Sequence, residues 1–214
     1  MADDESETEA LLARAALGDI SAWGAVLAAH EQRLMRMVTF RMDARLRGRI
    51  DPADVVQDAF VEASAHRADY FRTPDIPLFL WLRGVVNNKL LEVHRQHLKA
   101  RMRDAKRELP MDAPRGPNET SAALCAGLTA GLTRPSRVAM RNEIKSRLSQ
   151  ALGEMDATDR EVLALRHFEQ LTSAEAAQVL GIQERAAAKR YLRALKRLKK
   201  ILSQMPGGLT ELRL

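Results

Sequence analysis

The sequence has little of what disulfide-rich, membrane-spanning or sheet-forming proteins need. Its one cysteine, Cys125, excludes an internal disulfide and a cysteine-rich zinc site. No apolar run approaches the roughly 18 residues of a membrane span, and the acidic N-terminus has no secretion signal, so we expect a cytoplasmic protein without membrane insertion. Aromatic residues make up 4% of the chain, whereas alanine, leucine and arginine dominate. This composition predicts helices rather than sheet.

The residue patterns of enzymes are also missing. The glycines are scattered and form no phosphate-binding loop, and no serine–histidine–aspartate set or pair of carboxylates indicates catalysis. His94 and His97 are spaced like a metal-binding pair, but no third ligand lies at a suitable spacing. We therefore expect no catalysis, no cofactor and no bound metal.

Positive charge is concentrated in two segments. Residues 83–107 contain eight lysines and arginines against two acids, and residues 185–200 contain eight and no acid. Because the whole chain carries only +6, the remainder is net negative. Two basic segments on an acidic protein favour two contacts with a polyanion, although two solvated helix faces would give the same charge pattern.

The first hundred residues have the apolar periodicity of helices. One predicted helix places on a single face Trp23, Val26, Leu27, His30, Leu34 and Val38. Asp51 is predicted to cap a second helix, with Pro52 at its first position. The apolar stripe of this second helix consists of Val55, Val56, Ala59, Phe60 and Ala63. Asp54, Asp58 and Glu62 form an acidic ridge on another face.

A predicted loop at residues 72–77 precedes a long basic helix. Its apolar stripe consists of Phe79, Leu82, Val86, Leu90 and Val93. Asn88, Arg95 and Lys99 share a face away from that stripe. Residues 108–137 then bring four prolines and few large apolar side chains, which predicts a flexible linker with a short helical piece near Ala122–Cys125. The linker separates two predicted helical domains, residues 8–107 and 138–205.

The second domain is predicted to contain a helix-turn-helix. Thr158 and Thr172 are each followed three residues later by glutamate, which predicts two capping boxes. A short helix from Ser173 to Leu180, a turn at Gly181 and a basic helix from about Gln183 complete the motif. The apolar stripe of the basic helix is predicted to be Tyr191, Leu195, Leu198 and Leu202. One side of this helix carries Arg185, Lys189, Arg193, Lys196 and Lys200, which we expect to face DNA.

Three sequence blocks resemble conserved regions of bacterial sigma factors. Residues 51–60 (DPADVVQDAF) and 81–90 (WLRGVVNNKL) resemble the second region of that family. Residues 174–182 (AEAAQVLGI), preceded by 159–163 (DREVL), resemble the fourth region. With only a linker between the two regions, the layout is similar to that of the extracytoplasmic-function (ECF) type.

The resemblance implies an alternative sigma factor that binds core RNA polymerase and promoter DNA. The helix with Asp54, Gln57 and Asp58 is implied to dock on the clamp helices of the largest polymerase subunit. The minus-ten element is implied to contact the pocket asparagine Asn88 and the cations Lys89, Arg95, Lys99 and Arg103. The minus-thirty-five element is implied to contact Arg185, Lys189, Arg190, Arg193 and Lys196. Whether an anti-sigma factor also binds is left open.

Two features depart from the family or limit the expectation. Arg185 is followed by three alanines, and Ala188 replaces a side chain that commonly contacts bases. The aromatic residues available for strand opening are few, namely Tyr70, Phe71, Phe79 and Trp81, and we interpret Trp81 as a packing residue. On the residues alone, two other functions stay open: a DNA-binding regulator that works without polymerase, and a helical adaptor that binds only protein.

Overall fold

The computed structural model describes residues 2–43, 45–46, 48–72, 76–99, 120–121, 123–125, 127, 146–150 and 152–203. The chain divides into two compact units, Met1–Lys106 and Arg107–Leu214. Helices are the regular structure of both units, which confirms the predicted all-α fold. None of the described helices combines the length and the apolarity that crossing a membrane requires.

The first unit contains five helices within its described residues: α1 (Ala2–Ala16), α2 (Ile20–Arg41), α3 (Pro52–Ala65), α4 (Arg67–Arg72) and α5 (Leu78–Lys99). Helix α2 lies at its centre. Helix α2 packs against α1, α3 and α5, and α3 also packs along α5. The predicted face of α2 is buried, apart from the half-buried His30.

The predicted cap of α3 explains where this helix begins, and the predicted stripes of α3 and α5 explain which faces the two helices bury. The Asp51 carboxylate accepts a hydrogen bond of 2.9 Å from the Ala53 N–H, and Pro52 starts α3, as expected. All five apolar residues of the α3 stripe are buried. The α5 stripe is buried from Phe79 to Leu90, while Val93 is half-buried.

The second unit contains the predicted helix-turn-helix. Helix α6 (Ala157–Leu163) continues into a π-helical turn (Ala164–Phe168) and is followed by α7 (Ser173–Leu180) and α8 (Glu184–Ser203). The bounds of α7 are those predicted. The Thr172 and Glu175 capping box is present, and Gly181 ends α7 with a φ of 61°, a conformation that glycine adopts without strain.

The buried stripe of α8 differs in part from the predicted one, and Leu198 belongs to both. Ala187, Ala194 and Leu198 are the deeply buried residues, whereas Tyr191 and Leu195 are half-buried and the Leu202 side chain lies outside the described part. Ala187 packs against Val162 of α6 and Ala177 of α7. A small side chain is needed where three helices meet so closely, which accounts for the middle residue of the alanine triplet.

The predicted capping box at Thr158 is wrong. Helix α6 begins two residues earlier, at Ala157, and its N-cap is Asp156, whose carboxylate accepts a hydrogen bond of 2.8 Å from the Thr158 N–H. The partner glutamate of the supposed box, Glu161, instead accepts a hydrogen bond of 3.1 Å from the Thr120 hydroxyl. An aspartate is as good an N-cap as a threonine, so the sequence pattern did not distinguish the two starts.

Replacing Asp156 by alanine should therefore loosen the start of α6, because loss of an N-cap side chain destabilises a helix by about 1 kcal/mol. Hydrogen exchange of the α6 amides in the full chain should accelerate by about fivefold. The matched variant, Thr158→Ala, should change exchange by much less. A larger effect of Thr158→Ala than of Asp156→Ala would return the helix start to Thr158.

Part of the predicted linker belongs to the second unit. The described residues between 120 and 127 are helical, and Leu124 and Cys125 are buried. A Cβ atom on Gly127 would collide with the Phe168 ring, so the backbone lies directly on the π-helical turn. The described residues around the predicted helical piece near Ala122–Cys125 thus pack against α6 and the π-helical turn of the same unit.

Candidate nucleic-acid and protein interfaces

The acidic ridge lies on the exposed face of α3. Asp54, Gln57, Asp58 and Glu62 are exposed, while the opposite face of α3 is buried against α2 and α5. The Gln57 amide donates a hydrogen bond of 3.1 Å to the Glu31 carboxylate of α2, which joins the ridge to that helix. Glu31 extends the negative surface and was not singled out from the sequence, because the contact spans 26 residues.

An apolar groove of about 440 Å³ runs beside the ridge, between α2 and α3. Its lining residues are Gly24, Leu27, Ala28, Glu31, Gln57, Phe60, Val61 and Ser64. Val61 is 72% exposed and continues the apolar lining of the groove to the surface. An apolar floor with an acidic rim is suited to binding a partner helix that carries both apolar and basic residues.

Lys89 lies next to the ridge rather than among the other cations of α5. Its ammonium group is 3.3 Å from the Glu92 carboxylate and 3.6 Å from that of Asp58. Glu92, and with it Asp58, raises the pKa of Lys89 above its usual value. The structure thus brings this predicted DNA contact together with a predicted polymerase contact.

Asn88 and Arg95 occupy the exposed face of α5. The Asn88 amide forms no hydrogen bond with another described residue, so its donors and acceptor face solvent. The Arg95 guanidinium folds back to donate a hydrogen bond of 3.3 Å to the Leu91 carbonyl. Lys99 is the last residue of α5, but its side chain lies outside the described part, and so does all of Arg103.

Aromatic side chains cluster beside the start of α5. The Tyr70 ring is 5.1 Å from that of Trp81 and 5.2 Å from that of Phe71, measured between centroids. Trp23 lies beneath them, and its indole N–H donates a hydrogen bond of 2.9 Å to the Ser64 hydroxyl. Burial raises the pKa of Tyr70. Tyr70, Phe71 and Trp81 thus form one half-buried surface.

Phe79 does not share in this aromatic surface. Its side chain is buried, and the Arg33 guanidinium lies 3.6 Å from the ring centroid in a cation–π contact. Trp23 is buried, as the periodicity of α2 predicted, and it also supports the aromatic surface through its contacts with Phe71 and Trp81. Its contact with Ser64 joins residues 41 positions apart, so no local pattern indicated it.

The exposed side of α8 is basic. Arg185, Lys189 and Lys196 are exposed, and none of them forms an ion pair with another described residue. They are therefore available to phosphates or base edges. The turn at Gly181 and the capping box of α7 fix the start of α8 relative to the helix before it.

Arg190 and Arg193 bind to Asp159 of α6. Arg193 donates from Nε and Nη2 to the two carboxylate oxygens at 2.9 and 2.8 Å, and Arg190 donates from Nη1 at 2.9 Å. Burial by itself raises the pKa of Asp159, but the hydrogen bonds from Arg193 and Arg190 lower it more, so that it lies below the usual value. Asp159 was not predicted as a site residue.

Comparison with known proteins identifies the family. The family described as "Sigma-70, region 4" matches residues 145–198, which include the helix-turn-helix. RNA polymerase sigma factor CnrH of Cupriavidus metallidurans is 32% identical over 201 residues, which cover 92% of this chain and 95% of the relative. The chain belongs to the RNA polymerase sigma factors. Sigma factor NccH of Alcaligenes xylosoxydans xylosoxydans is 30% identical over 206 residues, 93% of this chain and 96% of that relative.

A solved structure is similar to this sigma factor over both units. The structure of CnrH in complex with the cytosolic domain of CnrY covers 92% of this chain and 97% of its own, with a TM-score of 0.51 and 27% identity. The predicted ECF type and the predicted function, an alternative sigma factor that directs transcription initiation at promoters, are confirmed. The stand-alone regulator and the protein-only adaptor are thereby set aside.

Proposed function

We propose that this sigma factor works through three surfaces, two of which meet where Lys89 of α5 contacts Asp58 of α3. The acidic ridge, with Asp54, Gln57 and Asp58, docks on the clamp helices of core RNA polymerase. The exposed face of α5 engages the minus-ten element, and α8 reads the minus-thirty-five element. The observation that carries the proposal is the charge of these surfaces: one ridge is acidic beside an apolar groove, and α8 is exposed and basic.

The proposed roles of these surfaces follow from the charges of their side chains. Cations along α8 and α5 attract the phosphate backbone and position the protein, while a few side chains read bases. We assign the minus-ten role to residues 8–107 and the minus-thirty-five role to residues 138–205, with the linker 108–137 between them. The protein acts in the cytoplasm, where the chromosome lies, and performs no catalysis itself.

An anti-sigma factor is a further proposed partner. The similar CnrH was solved in complex with the cytosolic domain of CnrY, so a chain of this layout binds a second protein. In this chain the groove between α2 and α3 offers an apolar surface of the kind that such a partner buries.

Run-off transcription with core polymerase tests the function. Transcripts that start at defined sites should appear only when the chain is added, and the chain should co-elute with core enzyme. Mapping of the start sites would give the promoter sequence. An absence of co-elution and of start sites that depend on the chain would contradict the proposal.

Lys196 lies where α8 should leave the major groove and meet the DNA backbone. Lys196→Ala should weaken holoenzyme binding evenly across promoter sequences and lower the slope of log affinity against log salt by about 0.9, the value for one phosphate contact. Arg197→Ala is the matched control, because the Arg197 guanidinium lies 3.7 Å from Glu154. A change in base preference, or an unaltered salt slope, would contradict the backbone assignment.

A further inference from the structure

Asp159 is a buried charge whose partners both lie on the proposed recognition helix. Its side chain is only 10% exposed, and its neighbours on α8 are Arg190 and Arg193. A buried carboxylate requires such partners, because leaving water uncompensated is costly. Asp156 provides a weaker second contact to Arg190, at 3.3 Å.

The geometry at Arg193 is the informative part. Its Nε and Nη2 atoms donate side-on hydrogen bonds to the two oxygens of the Asp159 carboxylate, yet the Arg193 side chain remains 62% exposed. The remaining edge, formed by Nη1 and the outer hydrogen of Nη2, bonds to no other described residue. A guanidinium is planar and rigid, so fixing one edge also fixes the direction of the other. That outer edge has the two parallel donors that match guanine O6 and N7.

A mere counter-ion would not need this arrangement. A carboxylate that only lowered the positive charge of α8 would serve equally well through one mobile, exposed contact. Asp159 instead supplies both oxygens and is itself buried. An exposed arginine that is held in advance also loses less side-chain entropy when it binds DNA.

We propose that Asp159 is a positioning residue for promoter recognition, which holds Arg193 so that its outer edge reads one guanine of the upstream element. The proposal rests on the assignment of α8 to the minus-thirty-five element. Asp159 itself does not touch the DNA. The three alanines after Arg185 remove other readers from the start of α8, so recognition depends more heavily on a single well-oriented arginine.

The test uses Asp159→Asn in the full chain, bound to core polymerase, with a library of singly substituted upstream elements. Asparagine is nearly the same size, but it presents an N–H₂ donor to the guanidinium in place of an acceptor. The preference at one base pair should fall by about fivefold or more. Arg193→Ala should relax the same base pair, and combining the two changes should cause little further loss there.

Two further variants separate positioning from folding and from net charge. Asp156→Asn makes the same charge change and keeps a good N-cap, so base preference should be unaltered. Arg193→Lys keeps the positive charge, but an ammonium group cannot form the side-on pair of hydrogen bonds with Asp159. This variant should lose the preference at that base pair while retaining the salt dependence of binding. This second variant keeps the proposal testable even if Asp159→Asn folds poorly.

The outcomes are distinguishable. If Arg193→Ala relaxes a base pair and Asp159→Asn does not, or if Asp159→Asn shifts affinity equally for all sequences, the positioning role is overturned while the assignment of α8 stands. If Arg193→Ala changes no preference at any position, Arg193 is not a reader, and the proposal fails together with that part of the assignment. A preference retained by Arg193→Lys would also overturn the role of the side-on grip.

Discussion

Reversing the charge of Asp54 and Asp58 is expected to weaken binding of core RNA polymerase by about 2–4 kcal/mol, roughly 30- to 1000-fold in affinity. Both carboxylates are exposed on α3 and lie beside the apolar groove, so a docked polymerase helix would exclude water from the ion pairs. Loss of one partner then leaves the other charge without water and without compensation. Titration of labelled core enzyme with the Asp54→Lys, Asp58→Lys variant gives the measurement.

The contact between Asp58 and Lys89 calls for a second variant in this experiment. A lysine at position 58 would face the ammonium group of Lys89, which now lies 3.6 Å from the carboxylate, and would add repulsion to the unbound protein. Asp54→Lys alone avoids this effect and should still weaken binding by about 1–2 kcal/mol. The control is Glu9→Lys on the exposed face of α1, which makes the same change of charge as Asp54→Lys. Unaltered core affinity in the Asp54 variants would remove the ridge from the docking surface.

Local patterns in the sequence predicted the helices well. The period of apolar residues identified the buried faces of α2 and α3, and the residue chemistry of Asp51, Pro52 and Thr172 placed helix starts where the structure has them. These features depend on residues within four positions of each other. For that reason buried helix faces and helix starts can be recognised in a single sequence without knowledge of the fold.

The features that were missed depend on contacts distant in the sequence or on a choice between equivalent residues. Asp156 and Thr158 are both good N-caps, and only the contacts of the folded chain separate them. The π-helical turn after α6 has no sequence signature that periodicity detects. Asp159 meets Arg190 and Arg193 across 31 and 34 positions. The exposure of the cation face of α8 depends on local periodicity and was predicted correctly. The contact between Arg193 and Asp159 depends on the fold and was not predicted.

The exposure of the candidate site residues was predicted to a similar extent, while their binding roles stay predictions. The ridge residues and the cations Arg185, Lys189 and Lys196 are exposed, as a binding role requires. Lys89 shows the limit of reasoning from one helix, because its place beside Asp58 depends on how α5 packs against α3. Phe79 is different: the predicted apolar stripe of α5 includes it and it is buried, so only its contact with Arg33 of α2 depends on how the helices pack.

Replacing Asn88 by alanine should impair promoter opening by about tenfold or more and leave binding of the duplex upstream element nearly unchanged. The Asn88 amide is exposed on α5 and forms no hydrogen bond with another described residue, so it has both donors and an acceptor for an unpaired base. A base that leaves the stack loses its pairing and needs new hydrogen bonds, whose loss costs about 1–3 kcal/mol. Permanganate reactivity of unpaired thymines at the promoter measures the opening.

Asn87 provides a matched control for this experiment, since it is the same residue type one position earlier and is half-buried on a different side of α5. Asn87→Ala should leave opening close to that of the parent protein if folding is preserved. A template with a pre-opened minus-ten region sharpens the test, because capture of an unpaired base is still required there. On that template Asn88→Ala should still weaken holoenzyme binding, and discrimination among bases should be lost at one position of the non-template strand. Equal opening by Asn88→Ala and the parent would mean that Asn88 is only part of the solvated surface of α5.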